Sequence, residues 1–99
     1  MQLTDGMLVQ RCLNGDKEAF GFLVDRYKEA VFGLAYSKVG NIHDAQDIAQ
    51  EAFLNAYKNL RQFRHPYKFH SWLYAITANC CKMFFRKRAK ERKYRLTRQ

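Results

Sequence analysis

The residues with the clearest chemical potential lie in the stretch RQFRHPYK at residues 61–68. Its cations Arg61, Arg64 and Lys68 alternate with aromatic side chains. The aromatic residues are Phe63 and Tyr67 within the stretch and Phe69 directly after it. Proteins hold single-stranded nucleic acid with this combination, because cations follow the phosphates while aromatic faces stack on unpaired bases. The pattern therefore predicts a contact with single-stranded nucleic acid.

A structural interpretation of the same aromatic residues stays open. Phe63 and Phe69 can anchor this segment to a hydrophobic core, and we expect at least one of them to do so. Pro66 interrupts any helix here, so the segment is predicted to be a loop. Trp72 falls on the apolar side of the helix that follows, where core packing with a satisfied indole N–H competes with base contact.

Charge is distributed unevenly along the chain. Residues 1–60 carry six Lys/Arg and eight Asp/Glu, whereas residues 61–99 carry twelve Lys/Arg and one glutamate. A basic half beside an acidic half indicates one surface for a polyanion and another for a different partner. The alternative is a basic tail that is merely solvated.

A row of acidic side chains forms the second candidate site. Asp44, Asp47 and Glu51 recur at helical spacing, with Leu54 and Asn55 beside them. Carboxylates in the first turn of a helix are favoured by the helix dipole, and the remainder can be a solvated face. Glu51 and Leu54 lie beyond the first turn, so the dipole does not explain them.

The chain offers no constellation for catalysis or metal binding. Cys12, Cys80 and Cys81 are odd in number, and their spacing is neither that of a zinc knuckle nor that of a redox motif. They are expected to pack as small apolar residues in a reducing, cytoplasmic environment. The three histidines have no partners at ligand spacing, and no apolar run is long enough for membrane insertion. We therefore expect no enzyme, no cofactor and no membrane segment.

Apolar spacing predicts an all-α fold, a compact bundle of three to four helices with a long basic C-terminal helix. The helices are expected at about residues 5–14, 17–39, 44–60 and 69–93. Thr4 or Asp5 can cap the first helix, Asp16 can cap the second, and Gly40 followed by Asn41 can end it. The basic stretch 89–99 is expected to be the end of the last helix and the start of a linker.

The apolar residues also predict which helix faces are buried. The second helix carries two apolar stripes, one of them containing Phe22, Phe32 and Tyr36, and is expected to be buried on two sides. The last helix is expected to bury one face and to expose the opposite one. The predicted core face holds Phe69, Trp72, Leu73, Ile76, Cys80, Met83 and Phe84. The predicted outward face holds Tyr74, Ala78, Cys81 and Phe85.

Two longer motifs occur in order, DAQDIAQEAFLNAY at residues 44–57 and FRHPYKFHSWLYAITAN at residues 63–79, followed by a basic helix end. Together they resemble region two of the sigma-70 family, and more narrowly its extracytoplasmic-function group. The resemblance covers about residues 20–88. It implies a domain, residues 1–88, that docks its acidic motif on the coiled coil of the largest subunit of bacterial core RNA polymerase. The residues nominated for this contact are Asp44, Gln46, Asp47, Gln50 and Glu51, with Gln46 standing where the family more often has glutamate.

The resemblance also implies that the loop and the last helix capture the non-template strand of the promoter minus-ten element as single-stranded DNA. An extruded base would be read in a small pocket formed by the loop and the following helix. The residues nominated for DNA are Phe63, Arg64, Tyr67, Lys68, Phe69, Tyr74, Asn79, Lys82, Arg86, Lys87 and Arg88, and the basic pattern of the loop adds Arg61. Met83 stands where the family often has aspartate four residues after the asparagine, which affects base preference.

The expected function is that of a sigma factor domain in transcription initiation. Complete family members carry a second, helix-turn-helix domain (region 4), so we expect this chain to be an isolated domain. An anti-sigma protein that covers the same surfaces is a further possible partner. The alternatives are a generic helical nucleic-acid-binding module, which would not require the acidic row, and a protein-interaction bundle whose outward aromatic residues pack on another helix.

Overall fold

The structure, a computed structural model, describes residues 3–64 and 68–97. These residues form four α-helices, α1 (Asp5–Leu13), α2 (Glu18–Val39), α3 (Ile42–Lys58) and α4 (Phe69–Thr97), and a short 3₁₀ turn at Leu60–Gln62. No strand occurs within these two described ranges. The prediction of an all-α bundle with a long basic C-terminal helix is therefore confirmed.

Helix ends follow local hydrogen-bonding chemistry. The Thr4 hydroxyl accepts a bond from the Met7 N–H at 3.2 Å, which caps α1. Gly40 ends α2 with a positive φ of 70° that suits glycine. The Asn41 side chain accepts from the Asp44 N–H at 3.0 Å, so α3 begins two residues earlier than the predicted residue 44.

The predicted cap of α2 at Asp16 is wrong. Lys17 occupies the N-cap position, its backbone is already helical, and no side chain caps this end. The first backbone bonds are instead of the tighter 3₁₀ type, from the Ala19 N–H to the Asp16 carbonyl oxygen and from the Phe20 N–H to the Lys17 carbonyl oxygen. The Asp16 backbone, rather than its carboxylate, therefore begins the helix.

The core lies where the four helices meet. α2 packs against each of the other three helices, and α3 also packs against α4. Side chains with at most 1% exposure come from every helix. They are Leu8, Val9, Leu23, Val31, Ala35, Ala45, Ala52, Ala56, Phe69, Leu73, Thr77 and Cys81. The three alanines of α3 leave room for its neighbours to approach closely, so the bundle is tight around this helix.

One of the two apolar stripes predicted to bury α2 lies on the surface. Phe22 is 62% exposed and Tyr36 is 43% exposed, whereas Phe32 is half-buried. The Phe32 and Tyr36 rings stack on each other with their centroids 5.9 Å apart, which covers part of both. The expectation that α2 is buried on two sides is therefore wrong, because its outer side has no helix against it in the described part of the chain.

The buried face of α4 is rotated relative to the prediction. Thr77 and Cys81 are buried, while Met83 is 52% exposed although it was assigned to the core face. Cys81 and Tyr74 were assigned to the outward face, yet Cys81 is buried and Tyr74 is half-buried. Thr77 can lie at the centre of this apolar face because its hydroxyl donates to the Leu73 carbonyl oxygen at 2.9 Å and so needs no partner outside its own helix.

The second half of α4 leaves the bundle. Residues 86–97 are all exposed, and the helix continues four residues past the predicted end at residue 93. The described residues consequently span 59 × 23 × 20 Å. Among them, no helix combines the length and the apolarity that crossing a bilayer requires. The fold thus combines a small core with a long, exposed and cationic helix end.

Candidate nucleic-acid interface and acidic face

A shallow pocket of about 400 Å³ opens where the loop meets the first turn of α4. Six residues line it, three before the undescribed segment of the loop and three after it. They are Gln62, Phe63, Arg64, Lys68, Ser71 and Trp72. The floor is aromatic and the rim is cationic, so the pocket can hold a flat, apolar group whose neighbour carries negative charge.

Phe63 and Trp72 form the aromatic part of this pocket. Their rings stack with centroids 4.9 Å apart and planes inclined by 30°. Phe63 is 9% exposed, and Trp72 is half-buried. Trp72 therefore offers more free ring surface than Phe63, although the sequence left it open whether the tryptophan belonged to the core. Its signal was its position three residues after Phe69, at the margin of the apolar face.

Phe69 does not reach the pocket surface. It is fully buried and contacts Phe63 and Trp72 with centroid distances of 6.0 Å and 5.8 Å. The expectation that Phe69 contacts a base does not fit this position, because a covered ring has no free face. Both phenylalanines anchor the loop to the core, where the sequence indicated at least one.

The cations predicted for the loop are placed around this pocket. Arg64 and Lys68 line its rim, and the exposed Arg61 lies in the preceding 3₁₀ turn. Tyr67, the remaining aromatic residue of the predicted set, lies outside the described residues. The pocket as described therefore rests on Trp72 for stacking and on Arg64 and Lys68 for charge.

The outer face of α4 continues from the pocket towards the C-terminus. Asn79, Lys82 and Arg86 are exposed. At about 100° per residue they fall within about 60° of one another on the helix surface, and on the same side as Ser71. Amide and cationic side chains in a line of this kind can follow a sugar–phosphate backbone.

Tyr74 does not share this face. It lies about 140° around the helix from Asn79. Its ring packs on Tyr27 of α2 at a centroid distance of 6.2 Å and near His70 at 6.0 Å. The structure therefore does not bring Tyr74 together with the other residues predicted to bind DNA, because packing against α2 turns it away from them.

Arg88 also points away from the outer face of α4. Its guanidinium donates to the Asp44 carboxylate of α3 at 3.2 Å and lies 5.0 Å from the centre of the Phe84 ring. Arg86 and Arg88 are separated by about 200° around the helix, so they cannot face one phosphate track together. The ion pair therefore joins Asp44, which was predicted to bind polymerase, to Arg88, which was predicted to bind DNA.

A groove of about 830 Å³ separates the acidic side of α3 from the basic half of α4. Asp47 and Glu51 line it on one side, and the other side is lined by four cations, Arg86, Lys87, Arg88 and Lys90. Met83 and Phe84 are among its apolar residues, and Glu91 adds a carboxylate. Opposite charges therefore face each other across the groove.

The five residues predicted to bind polymerase occupy two sides of α3. Asp47 and Glu51 are exposed and lie within about 60° of Asp44 on the helix surface. Gln46 and Gln50 are also exposed but lie about 200° and 240° from Asp44. Leu54, 57% exposed, falls between Gln50 and Asp47. The exposed surface thus runs from the two glutamines across Leu54 to the two acids, with Asp44 at its far edge.

Cys80 and Cys81 lie inside the bundle, Cys12 is half-buried, and none of the three lines either candidate site. Burial raises the pKa of the Cys80 thiol, and the nearby Glu51 carboxylate adds to this effect. Burial also raises the pKa of Cys81. The Asn55 side-chain amide lies 3.5 Å from the Cys80 sulfur, to which it can donate. Within residues 3–64 and 68–97, no group of three His, Cys, Asp or Glu side chains could hold a metal ion.

Comparison with known proteins places this geometry in a family. The family model described as Sigma-70 region 2 matches residues 23–91. The chain is 45% identical over 71 residues to the ECF RNA polymerase sigma factor SigW of Bacillus subtilis. It is 43% identical over 83 residues to the ECF RNA polymerase sigma-E factor of Haemophilus influenzae. The chain belongs to the sigma-70 region 2 family, in its extracytoplasmic-function (ECF) group.

These ECF relatives are considerably longer than the present chain. The matches cover 72% of this chain and 38% of SigW, and 84% of this chain and 43% of the H. influenzae sigma-E factor. This region 2 chain therefore spans about two-fifths of the length of the curated relatives it matches. Both candidate sites lie inside the residues that match the family model.

A solved structure shares the fold of this region 2 chain. It is the NMR structure of a complex formed by an engineered region 2 of sigmaE with GTAAAA. The two chains are 40% identical, and the match covers 91% of this chain and 94% of the other with a TM-score of 0.84. The four-helix arrangement described above is thus the arrangement of an ECF region 2.

Proposed function

We propose that this region 2 domain captures the non-template strand of a promoter minus-ten element as single-stranded DNA and thereby favours promoter melting. The observation that carries the proposal is the pocket with an aromatic floor, formed by Phe63 and Trp72, and a cationic rim, formed by Arg64 and Lys68. A relative of the same fold has been solved in complex with GTAAAA, which supports this assignment.

The proposed mechanism uses binding energy and no chemical step. Unpairing and unstacking one base costs a few kcal/mol, and stacking of that base on an aromatic side chain recovers about 1 to 3 kcal/mol. Arg64, Lys68, Lys82 and Arg86 would add phosphate contacts that do not depend on sequence. The domain would therefore act as a cytoplasmic specificity factor rather than as an enzyme.

The second part of the proposal concerns the exposed surface of α3. We assign Gln46, Asp47, Gln50 and Glu51 to docking on the coiled coil of the largest subunit of bacterial core RNA polymerase. The exposed Leu54 lies among them and supplies an apolar contact that a merely solvated face would not need. An anti-sigma protein, if one exists, would inhibit by covering this surface or the DNA face.

The DNA assignment can be tested with a labelled GTAAAA oligonucleotide and its scrambled counterpart. Fluorescence anisotropy should show preferential binding of GTAAAA by the wild-type domain. Lys68→Ala should weaken binding of both oligonucleotides and reduce the slope of log affinity against log salt by about 0.7, the value for one phosphate contact on a single strand. Lys28→Ala, which removes an exposed cation of α2, is the matched control.

The polymerase assignment predicts that charge reversal on α3 abolishes docking. The variant Asp47→Arg/Glu51→Arg should lose saturable binding to purified core RNA polymerase, because the two positive charges then oppose the contact. Asp25→Arg/Glu29→Arg makes the same change in net charge on the exposed side of α2 and should still bind. Retained binding by the α3 variant, with native helicity, would contradict the assignment.

A generic nucleic-acid-binding module would give a different pair of results. It would bind both oligonucleotides alike and would ignore core RNA polymerase. The two titrations therefore separate the proposed sigma function from this alternative without a full promoter assay.

A further inference from the structure

A polar clamp joins the first turn of α1 to α2. The Asp5 carboxylate accepts hydrogen bonds from the Arg26 guanidinium at 2.7 Å and from the Tyr27 hydroxyl. The same guanidinium donates to the Leu3 carbonyl oxygen at 2.7 Å. The hydroxyl end of the Tyr27 side chain is thereby held by the Asp5 carboxylate, and a charged acceptor makes a stronger hydrogen bond than a neutral one.

The ring of Tyr27 extends from this clamp to the beginning of α4. Its centroid lies 5.9 Å from that of Phe69 and 6.2 Å from that of Tyr74. The second contact is edge-on, with an angle of 81° between the ring planes. Tyr27 therefore touches the first two turns of the helix that supplies the DNA pocket.

Phe69 carries the contact onward to the pocket itself. Its ring is fully buried and meets Phe63 edge-on and Trp72 at a tilt, at 6.0 Å and 5.8 Å. Phe63 and Trp72 are the two aromatic rings that line the pocket. A continuous series of ring contacts thus connects the Asp5 clamp with the surface on which a base would stack.

We infer that Tyr27, held by Asp5, is a positioning residue for the base pocket. The inference rests on the proposed DNA function and adds to it a residue of α2 that touches no nucleotide. Close packing makes this coupling effective, because a buried ring such as Phe69 can shift only if its neighbours shift with it. A binding pocket that loses such support is present but poorly ordered.

The test compares variants of Tyr27 by their affinity for the GTAAAA oligonucleotide and by the emission of Trp72, the only tryptophan in the chain. Tyr27→Leu should weaken binding about tenfold, since the stacking of one base is at stake, and should shift the emission of the free protein. Tyr27→Phe keeps the ring and should restore most of the affinity. Asp5→Ala should fall between the two.

A matched control separates positioning from a general loss of stability. Val31→Ala removes two buried methyl groups from the same helix, one turn after Tyr27, and lowers the free energy of unfolding while leaving all the rings of this series in place. We expect it to bind the oligonucleotide as the wild type does when both are fully folded. Should Val31→Ala weaken binding as much as Tyr27→Leu, the role of Tyr27 is merely structural and the inference is overturned.

The outcomes also distinguish this inference from the proposed function. If Tyr27→Leu is folded and binds GTAAAA with wild-type affinity, the inference fails while the DNA function stands. If the wild type does not bind GTAAAA, the DNA function fails, and the emission of Trp72 alone tests whether Tyr27 positions the pocket. A shift of the Trp72 emission in Tyr27→Leu that is absent in Val31→Ala supports the inference, and an unshifted emission contradicts it. If Tyr27→Leu does not fold, Asp5→Ala, which removes the partner of the Tyr27 hydroxyl, takes its place: weaker binding than that of Val31→Ala supports the inference, and wild-type binding contradicts it.

Discussion

At the scale of single residues, Trp72 has the most direct part in the proposed DNA contact. It stacks on Phe63 and remains partly exposed, so the same ring can pack on the loop and still be open to the proposed base. Phe63 and Phe69 contribute by holding this ring in place. The aromatic character of the loop therefore reflects core packing as much as recognition.

Trp72→Ala should lower affinity for single-stranded GTAAAA by about tenfold, because stacking of one base on an aromatic ring contributes about 1 to 3 kcal/mol. Tyr36→Ala removes an exposed aromatic ring from α2 and should leave the affinity unchanged. Fluorescence anisotropy of the labelled oligonucleotide measures both. Equal affinity of Trp72→Ala and wild type would show that no base stacks on Trp72.

At the scale of secondary-structure elements, the contact between α3 and α4 brings the two candidate interfaces together. The Asp44–Arg88 ion pair connects the end of the acidic surface with the basic half of α4. Arg88 is 60% exposed, so the pair contributes little to stability, about 0 to 1 kcal/mol. Its effect is instead to neutralise one cation of the helix that is proposed to meet DNA.

Asp44→Asn should therefore raise the affinity of this domain for DNA about twofold to fivefold at low salt, since it releases the Arg88 side chain from α3 and lets it turn towards a phosphate. The gain should disappear in Asp44→Asn/Arg88→Ala. Asp25→Asn on α2 controls for the change in net charge. An unchanged or lower affinity of Asp44→Asn, measured by the same anisotropy titration, would show that the pair does not restrain Arg88.

At the scale of the whole molecule, burial of ionisable groups sets how stability depends on alkaline pH. Burial raises the pKa of Cys80 and Cys81 above the ordinary value of 9.0. Burial and the hydrogen bond to Asp5 raise the pKa of Tyr27 above the ordinary value of 10.0. These groups stay protonated in the folded domain at a pH where they ionise in the unfolded chain.

Unfolding should therefore release protons above about pH 9, so the free energy of unfolding falls as the pH rises. Well below pH 9 these groups are protonated in both states, and their full contribution is present. In urea denaturation between pH 7 and pH 10.5, the midpoint concentration of urea should stay constant at first and decline as the pH approaches and passes 9. The double variant Cys80→Ala/Cys81→Ala should lose less stability between pH 9 and pH 10 than the wild type. Parallel curves for the two proteins would contradict this account.

Much of the fold could be predicted from the sequence, because its signals are local. Gly40, Asn41 and Pro66 interrupt apolar runs of helical period, which is enough to separate the helices. The rotation of α4 could not be predicted in this way, because threonine counts as a polar residue in an analysis of apolar spacing. In the structure, the Thr77 hydroxyl is satisfied by a carbonyl oxygen of its own helix, so Thr77 can be buried. Likewise, the Asp44–Arg88 pair joins residues 44 positions apart and depends on how α3 packs on α4.

The candidate site could be predicted only in outline. The family resemblance implied a small pocket between the loop and the following helix, and a pocket does lie there, but the sequence did not indicate which rings stay free. Burial of Phe69 and the turning of Tyr74 towards Tyr27 both follow from the packing of α2 against α4, which local spacing does not encode.

The most direct measurement of the central claim is an NMR titration of the isotope-labelled domain with single-stranded GTAAAA. The account predicts saturable chemical-shift changes concentrated at Arg64, Lys68, Ser71, Trp72 and Asn79, with the exposed surface of α3 at Gln46 and Gln50 unaffected. Changes spread evenly along the basic residues 86–97, with none at the pocket, would show that the domain binds DNA by charge alone. That result would contradict capture of a base by the pocket.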